Sequence, residues 1–171
     1  FGAASSPADG ILIDCRGMAA RDDLPELRGV RGERVLIATK DVTLSRPVRL
    51  LHPRQPIYVV PRSDGRFVVG ATVIEREDSG PMTLRSALDL LGAAYALSPA
   101  FADAAILDMG VGVRPSFPDN VPRITIAEEG RVYRVNGAYR HGFLLAPVLA
   151  RMVLDRIDNG TESVLIQRGN D

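Results

Sequence analysis

Two stretches carry the residues best suited to chemistry. The segment Gly137-Ala138-Tyr139-Arg140-His141-Gly142-Phe143-Leu144-Leu145-Ala146-Pro147, taken with Gly112-Val113-Arg114-Pro115 upstream, sets guanidinium groups beside an uncharged helix start. Arginine presents a rigid fork of donors that can grip a carboxylate with two hydrogen bonds. Pro115 holds Arg114 extended and limits where its side chain points. A surface arginine or a structural ion pair also accounts for Arg114, so spacing alone leaves its role open. Together the two stretches suit a small carboxylate lying next to an electron-rich ring.

No charge interrupts Gly142 to Ala150, so that stretch is expected to be buried on all sides. Pro147 suits the first turn of a helix, where its missing N–H would have no partner anyway. Free backbone N–H groups near residues 142–146, at the positive end of the helix dipole, would then stabilise negative charge. The N1–C2=O edge of a reduced flavin carries such charge. A core helix capped by its own preceding loop is the plainer alternative.

Other candidates are weaker. Tyr58 has an apolar body and a polar tip, fitting either core packing or a pocket wall. His52, before Pro53 in a basic loop, reads as a solvated turn residue, and His141 draws interest only through its neighbours. Two distant histidines, one cysteine and no spaced carboxylates imply no protein metal site. No Ser/His/Asp or Cys/His motif with supporting context appears, so no side chain is assigned as a catalytic base or nucleophile.

The elements that must position these residues can be read from pattern. Residues 11–15 read as a buried, parallel-type strand that leaves through Gly17, with Cys15 as a small buried hydrophobe. After a charged loop from Arg21 to Arg28 come strands at Glu33–Thr39 and Val48–His52. A hairpin then pairs residues 57–61 with 66–73 across Asp64-Gly65. Thr83 is positioned to cap a helix whose apolar positions Leu84, Ala87, Leu88, Leu91 and Tyr95 should cover the sheet, ending before Ser98-Pro99. A strand at 105–113, a second hairpin at 123–127 and 131–136, a helix from Pro147 to Ile157 stopping at Gly160, and a short strand at 163–167 complete the chain. Strands in antiparallel runs with few helices give an α+β domain.

Composition excludes whole classes of function. The chain has 171 residues, 21 basic and 21 acidic side chains and zero formal charge, which leaves no basic footprint for nucleic acid. Its longest apolar stretch is under half of the ~20 residues a spanning helix needs. No signal-peptide pattern opens the chain, and the lone Cys15 fits a reducing compartment, so a cytoplasmic protein without a membrane role is expected. Self-association is left open. The chain begins at Phe1 and contains no G-x-G-x-x-G; the expectation is the carboxyl-terminal part of a longer enzyme, inactive alone.

With these residues on the page, the chain resembles the FAD-dependent D-amino-acid oxidase family, and within it the glycine oxidases of thiamine biosynthesis. Tyr58 to Arg62 with Asp64 to Thr72 is similar to the family's substrate-domain hairpin. Gly112-Val113-Arg114-Pro115, with Asp119 and Pro122, is similar to its arginine strand and following loop. Tyr139 to Pro147 is similar to its flavin-edge loop and helix, and Ile11 to Gly17 to the strand and glycine turn where the flavin domain resumes. The resemblance spans about residues 10–158.

The resemblance implies a mixed, largely antiparallel sheet with flanking helices, the substrate domain of such a flavoenzyme plus a remnant of its FAD domain. Residues 1–32 would be that remnant, 33–136 the substrate-binding domain, and 137–171 the flavin-edge loop, helix and returning strand. Arg114 would bind the substrate carboxylate, helped by Arg140 and the Tyr58 hydroxyl, with Val73 lining the pocket. Ala138, Tyr139, Arg140, His141, Gly142, Phe143 and Leu144 would contact the isoalloxazine. The reaction implied is oxidation of glycine or a small amine or D-amino acid to an imine with hydrogen peroxide, the glycine imine feeding thiazole formation, and the partner implied is an amino-terminal FAD-binding half. The chain departs from the family pattern at Ala138 and His141, where His and Asn are common, and at Ser116, where Gly is usual. A sarcosine-type oxidase and a non-catalytic module binding small carboxylates or a protein are the competing expectations.

Overall fold

The computed structural model describes residues 10–52 and 56–169; expectations resting on Phe1 and Pro53 lie outside the described residues. In chain order the strands are β1 (Leu12–Asp14), β2 (Arg28–Ala38), β3 (Val48–Leu50), β4 (Ile57–Pro61), β5 (Arg66–Gly70), β6 (Ala105–Ser116), β7 (Arg123–Ala127), β8 (Val132–Asn136) and β9 (Ile166–Arg168). The long helices are α1 (Leu84–Leu97) and α2 (Gly142–Asn159). The chain forms two compact units, 31–113 and the remainder on either side of it, and crosses between them within β2 and β6. Residues 114–136, grouped by sequence with the substrate-binding segment, therefore sit with the terminal residues. The α+β class holds, with the strands divided between two sheets.

The central unit, residues 31–113, is built on the sheet β3-β4-β5-β2-β6. β4 and β5 pair as an antiparallel hairpin, Val59 opposite Val69, and Asp64 and Gly65 turn the chain at φ 61° and 67°, the left-handed pair that a two-residue hairpin loop needs. Ladder pairing ends at Gly70, so residues 71–73 leave the strand where sequence alternation continued it. Alternate residues Val35, Ile37, Ile57, Val59, Phe67 and Val69 face one side, where Leu90 and Ala94 of α1 and Phe101 meet them. Phe67 and Phe101 meet edge to face, with centroids 5.3 Å apart.

Thr83 caps α1 as expected, its hydroxyl accepting the Ser86 N–H at 3.3 Å. The buried face is not the expected one. Ser86, Leu90 and Ala94 point into the core, whereas Leu84, Leu88 and Tyr95 are exposed. α1 carries apolar residues on two sides, so the same period fits either face, and the sheet selects the one with the smaller side chains Ser86 and Ala94.

The terminal unit holds the sheet β1-β8-β7-β9. β7 and β8 form the second hairpin, while β1 and β9 join its edges in parallel. α2 lays Leu149 and Val153 on Ile124, Ile126 and Tyr133. A second cluster, Ala20, Leu24, Leu27 and Phe117, packs the turns that follow β1. Cys15 is exposed rather than buried, because Asp14 takes the inward position of this short strand. The returning strand starts at Ile166, later than expected, since Ser163 to Leu165 form a turn.

Candidate functional site

Within the terminal unit the chain brings the arginine strand to the loop before α2. Leaving β8, Asn136 accepts the Gly137 N–H on its Oδ1 at 2.8 Å and donates from Nδ2 to the Gly17 carbonyl at 2.9 Å. Gly137 turns at φ 77°, and a Cβ there would stand 2.6 Å from Cε2 of the buried Phe117 ring, so only glycine fits. Two residues on, the Tyr139 N–H donates to the Pro115 carbonyl at 3.2 Å. The backbone next to Arg114 is thus hydrogen-bonded to the start of the 138–144 segment. Arg114 is half-buried and Arg140 exposed. Gly17 was read from the sequence as a turn, but Asn136, which docks on it, was missed; an asparagine at a strand end was the available signal.

α2 begins at Gly142, five residues before the expected start at Pro147, which lies inside the helix. His141 occupies the N-cap. Its carbonyl accepts from the Leu144 and Leu145 N–H groups at 3.0 and 2.8 Å, and its own N–H donates to the Ala138 carbonyl at 2.9 Å. No side chain caps this end and no acid lies in the first turn, so the positive end of the dipole is uncompensated there. The stretch from Gly142 to Ala150 is not buried on all sides. Phe143 is fully exposed at 101 % and Leu144 is 77 % exposed, because the sheet is met by another stripe, Leu149 and Val153 with Leu145, Met152 and Ile157 beside them.

A charge chain anchors the first strand of this unit. Asp14, nearly buried, accepts from Arg16 Nε at 3.0 Å, Nη2 at 2.8 Å and the Arg16 backbone N–H at 3.0 Å. Arg16 also reaches Asp23 at 2.7 Å, and Asp23 reaches Arg134 at 3.1 Å. The Arg16 guanidinium holds the Asp14 carboxyl below the usual aspartate range, against the opposing effect of burial. The chain fixes the Gly17 turn on which Asn136 docks.

Tyr58 and Val73 belong to the central unit. Tyr58 lies opposite Gly70 on the face of the sheet away from the core, its hydroxyl 3.0 Å from where a Gly70 Cβ would stand. Core packing is therefore not its role, since Ile57 and Val59 take those positions. Val73 is 39 % exposed, just past the end of β5. His52 is exposed in the loop after β3. Among the described residues no group of three His, Cys, Asp or Glu side chains could hold a metal ion, and no helix is long and apolar enough to cross a membrane.

An uncapped helix start, exposed apolar side chains on its first turn and an arginine strand tied to the loop before it fit the carbonyl edge and flat face of an isoalloxazine. The class agrees with sequence comparison: the family model for FAD dependent oxidoreductases (DAO) matches residues 2–156, and the chain belongs to this family. It is 58 % identical over 146 residues to the thiamine biosynthesis oxidoreductase ThiO of Rhizobium etli, covering 85 % of this chain and 44 % of that relative. To the glycine oxidase of Bacillus subtilis it is 30 % identical over 76 % of the chain and 34 % of the relative. The crystal structure of glycine oxidase from Bacillus cereus superposes with a TM-score of 0.79 at 25 % identity, over 91 % of this chain and 44 % of that one. The chain thus spans less than half the length of these relatives.

Proposed function

We propose that the chain is the carboxyl-terminal part of an FAD-dependent oxidase that converts glycine, or a similarly small amine or D-amino acid, to its imine with release of hydrogen peroxide, in service of thiamine thiazole synthesis. The observation that carries this reading is the Tyr139 N–H to Pro115 carbonyl bond, which ties the arginine strand to the loop before α2. Arg114 binds the substrate carboxylate, with Arg140 adding positive charge, and Tyr58 and Val73 keep the substrate-contact roles that the family resemblance gives them. Residues 138–144 lie against the flavin, where the start of α2 favours negative charge. Bound FAD supplies the hydride acceptor and, with oxygen, the route to peroxide. The chain's own task is to fix the amine so that its α C–H faces that acceptor and to exclude water around the ion pair. An amino-terminal half provides the remaining FAD contacts.

The test is Arg114→Leu in this chain joined to an amino-terminal FAD-binding half. Loss of a partly desolvated carboxylate contact is expected to remove about 2–5 kcal/mol of transition-state binding, read as kcat/KM for glycine, with the 450 nm flavin band retained. Unchanged kcat/KM at low glycine would overturn the assignment.

A further inference from the structure

The most completely buried charges of the molecule lie outside the site described above. Arg31 and Glu33 stand two residues apart on β2, both at 0 % exposure, and their side chains meet at 3.0 Å (Nε to Oε1) and 2.7 Å (Nη2 to Oε1). Each also holds the chain that follows β5. The Arg31 fork donates to the carbonyls of Asp78 and Gly80 at 2.9 Å and of Pro81 at 2.6 Å. Glu33 accepts from the Thr72 hydroxyl at 3.2 Å and the Thr83 N–H at 3.4 Å, and Ser86 also bonds to it. Burial pushes its carboxyl up, and these donors together outweigh it and hold the group below the usual range.

The backbone of the same two residues grips the segment as well. The Glu33 N–H donates to Thr72 Oγ1 at 2.9 Å, and the Thr72 N–H to the Glu33 carbonyl at 3.2 Å. Arg31 and Ile74 exchange backbone bonds at 2.9 and 3.0 Å. Val73 stands between the two grips with its side chain outward. A pair that only filled space would be replaced by apolar side chains at little cost in stability. What apolar side chains cannot do is aim three donors at three carbonyls and a carboxylate at a helix cap.

We infer that Arg31 and Glu33 form a positioning clamp that fixes the path of residues 72–83, and with it the place of Val73, so that the pair supports binding of a small amine in the oxidase proposed above. The side chains act on Val73 through the Thr72 hydroxyl before it and the carbonyls of residues 78, 80 and 81 after it, while Ile74 is held by the Arg31 backbone, and the clamp touches no substrate. Its loss leaves the residues around the flavin in place and loosens the wall against which a small amine is bound. The inference rests on the proposed oxidase for the role of Val73 and for its kinetic readout; the exchange readout stands apart from it.

The experiment uses the chain joined to its amino-terminal half and loaded with FAD. In the double variant R31M/E33L, which substitutes an apolar pair, the fold is expected to persist with a lowered melting temperature, since the carbonyls of residues 78, 80 and 81 lose their donors. Amide exchange across residues 72–83 is expected to speed up at least roughly tenfold, and KM for glycine to rise roughly tenfold with kcat within about twofold. Parental exchange and parental KM in a stable double variant would overturn the clamp. Should that variant not fold, Arg31→Lys decides: it keeps the charge beside Glu33 but lacks the fork, so a clamp predicts fast exchange at 72–83, whereas full protection with the parental KM contradicts it. A parent protein that oxidises no small amine would refute the proposed function instead, and the exchange data would still decide the clamp.

Discussion

The two units of this chain are held by opposite means. The core of the central unit joins mostly neighbours in sequence: β4 and β5 meet across one tight turn, α1 follows soon after, and Leu90 and Ala94 close the core, with β2 reaching further along the chain to β6 and to residues 72–83. The terminal unit joins residues from the two ends of the described chain. β1 pairs in parallel with β8, and Asn136 bonds to Gly17 across 119 positions. Local pairing is quick to form and easy to read, whereas distant pairing needs side-chain anchors such as the Asp14, Arg16, Asp23 and Arg134 chain. The residues proposed to meet the flavin lie in the unit built the second way, and the strand that bears Arg114 ends there.

Four changes test that contrast, in falling order of effect. Leu90→Ala opens a cavity against Val59 and Phe67 and is expected to cost about 3 kcal/mol, read in denaturant melts with exchange accelerated in β4 and β5. An effect below 1 kcal/mol would mean that packing is not what holds the central unit. Gly137→Ala forces a Cβ toward Phe117 at an unfavourable φ and is expected to cost about 2 kcal/mol. Crystal coordinates of that variant with the Tyr139 to Pro115 bond intact would separate the turn from the arginine strand.

Asp14→Asn sharpens the role of the charge chain and is expected to cost about 1.5 kcal/mol at neutral pH. Because the folded state holds the Asp14 carboxyl below its ordinary value, its stabilisation is fully present above about pH 4 and is lost as pH falls through the lower folded value. The gap between parent and variant should therefore narrow in acid; a gap that widens would contradict the ion pair. His141→Asn changes least. The N-cap carbonyl that receives Leu144 and Leu145 is untouched, so stability should move by less than about 0.5 kcal/mol and flavin binding should persist. A larger loss would give the imidazole a structural task.

The legibility of the chain follows the same divide. Thr83 and Ser98-Pro99 marked both ends of α1, Asp64-Gly65 marked the hairpin, and β7 lay where its β-branched residues placed it. The buried face of α1 was not legible, because Leu84, Leu88 and Tyr95 repeat with the same period as the smaller buried set. Nor was the start of α2: Pro147 signalled a first turn, yet the helix tolerates proline in its second turn and begins at Gly142. For the site, Arg114 and the 138–144 loop could be picked out by residue type, but the bond joining them runs through backbone atoms that no side-chain pattern records. The Arg31 and Glu33 pair left one faint trace, two opposite charges two apart in the charged first half of β2.

Gly137 is constrained twice, by its backbone angle and by the Phe117 ring. Relieving one constraint leaves the other, so replacing this glycine stays damaging even after a change at position 117. In a saturation library of the terminal unit, Gly137 should behave as a position with one permitted letter, and a shrunken side chain at position 117 should not free it.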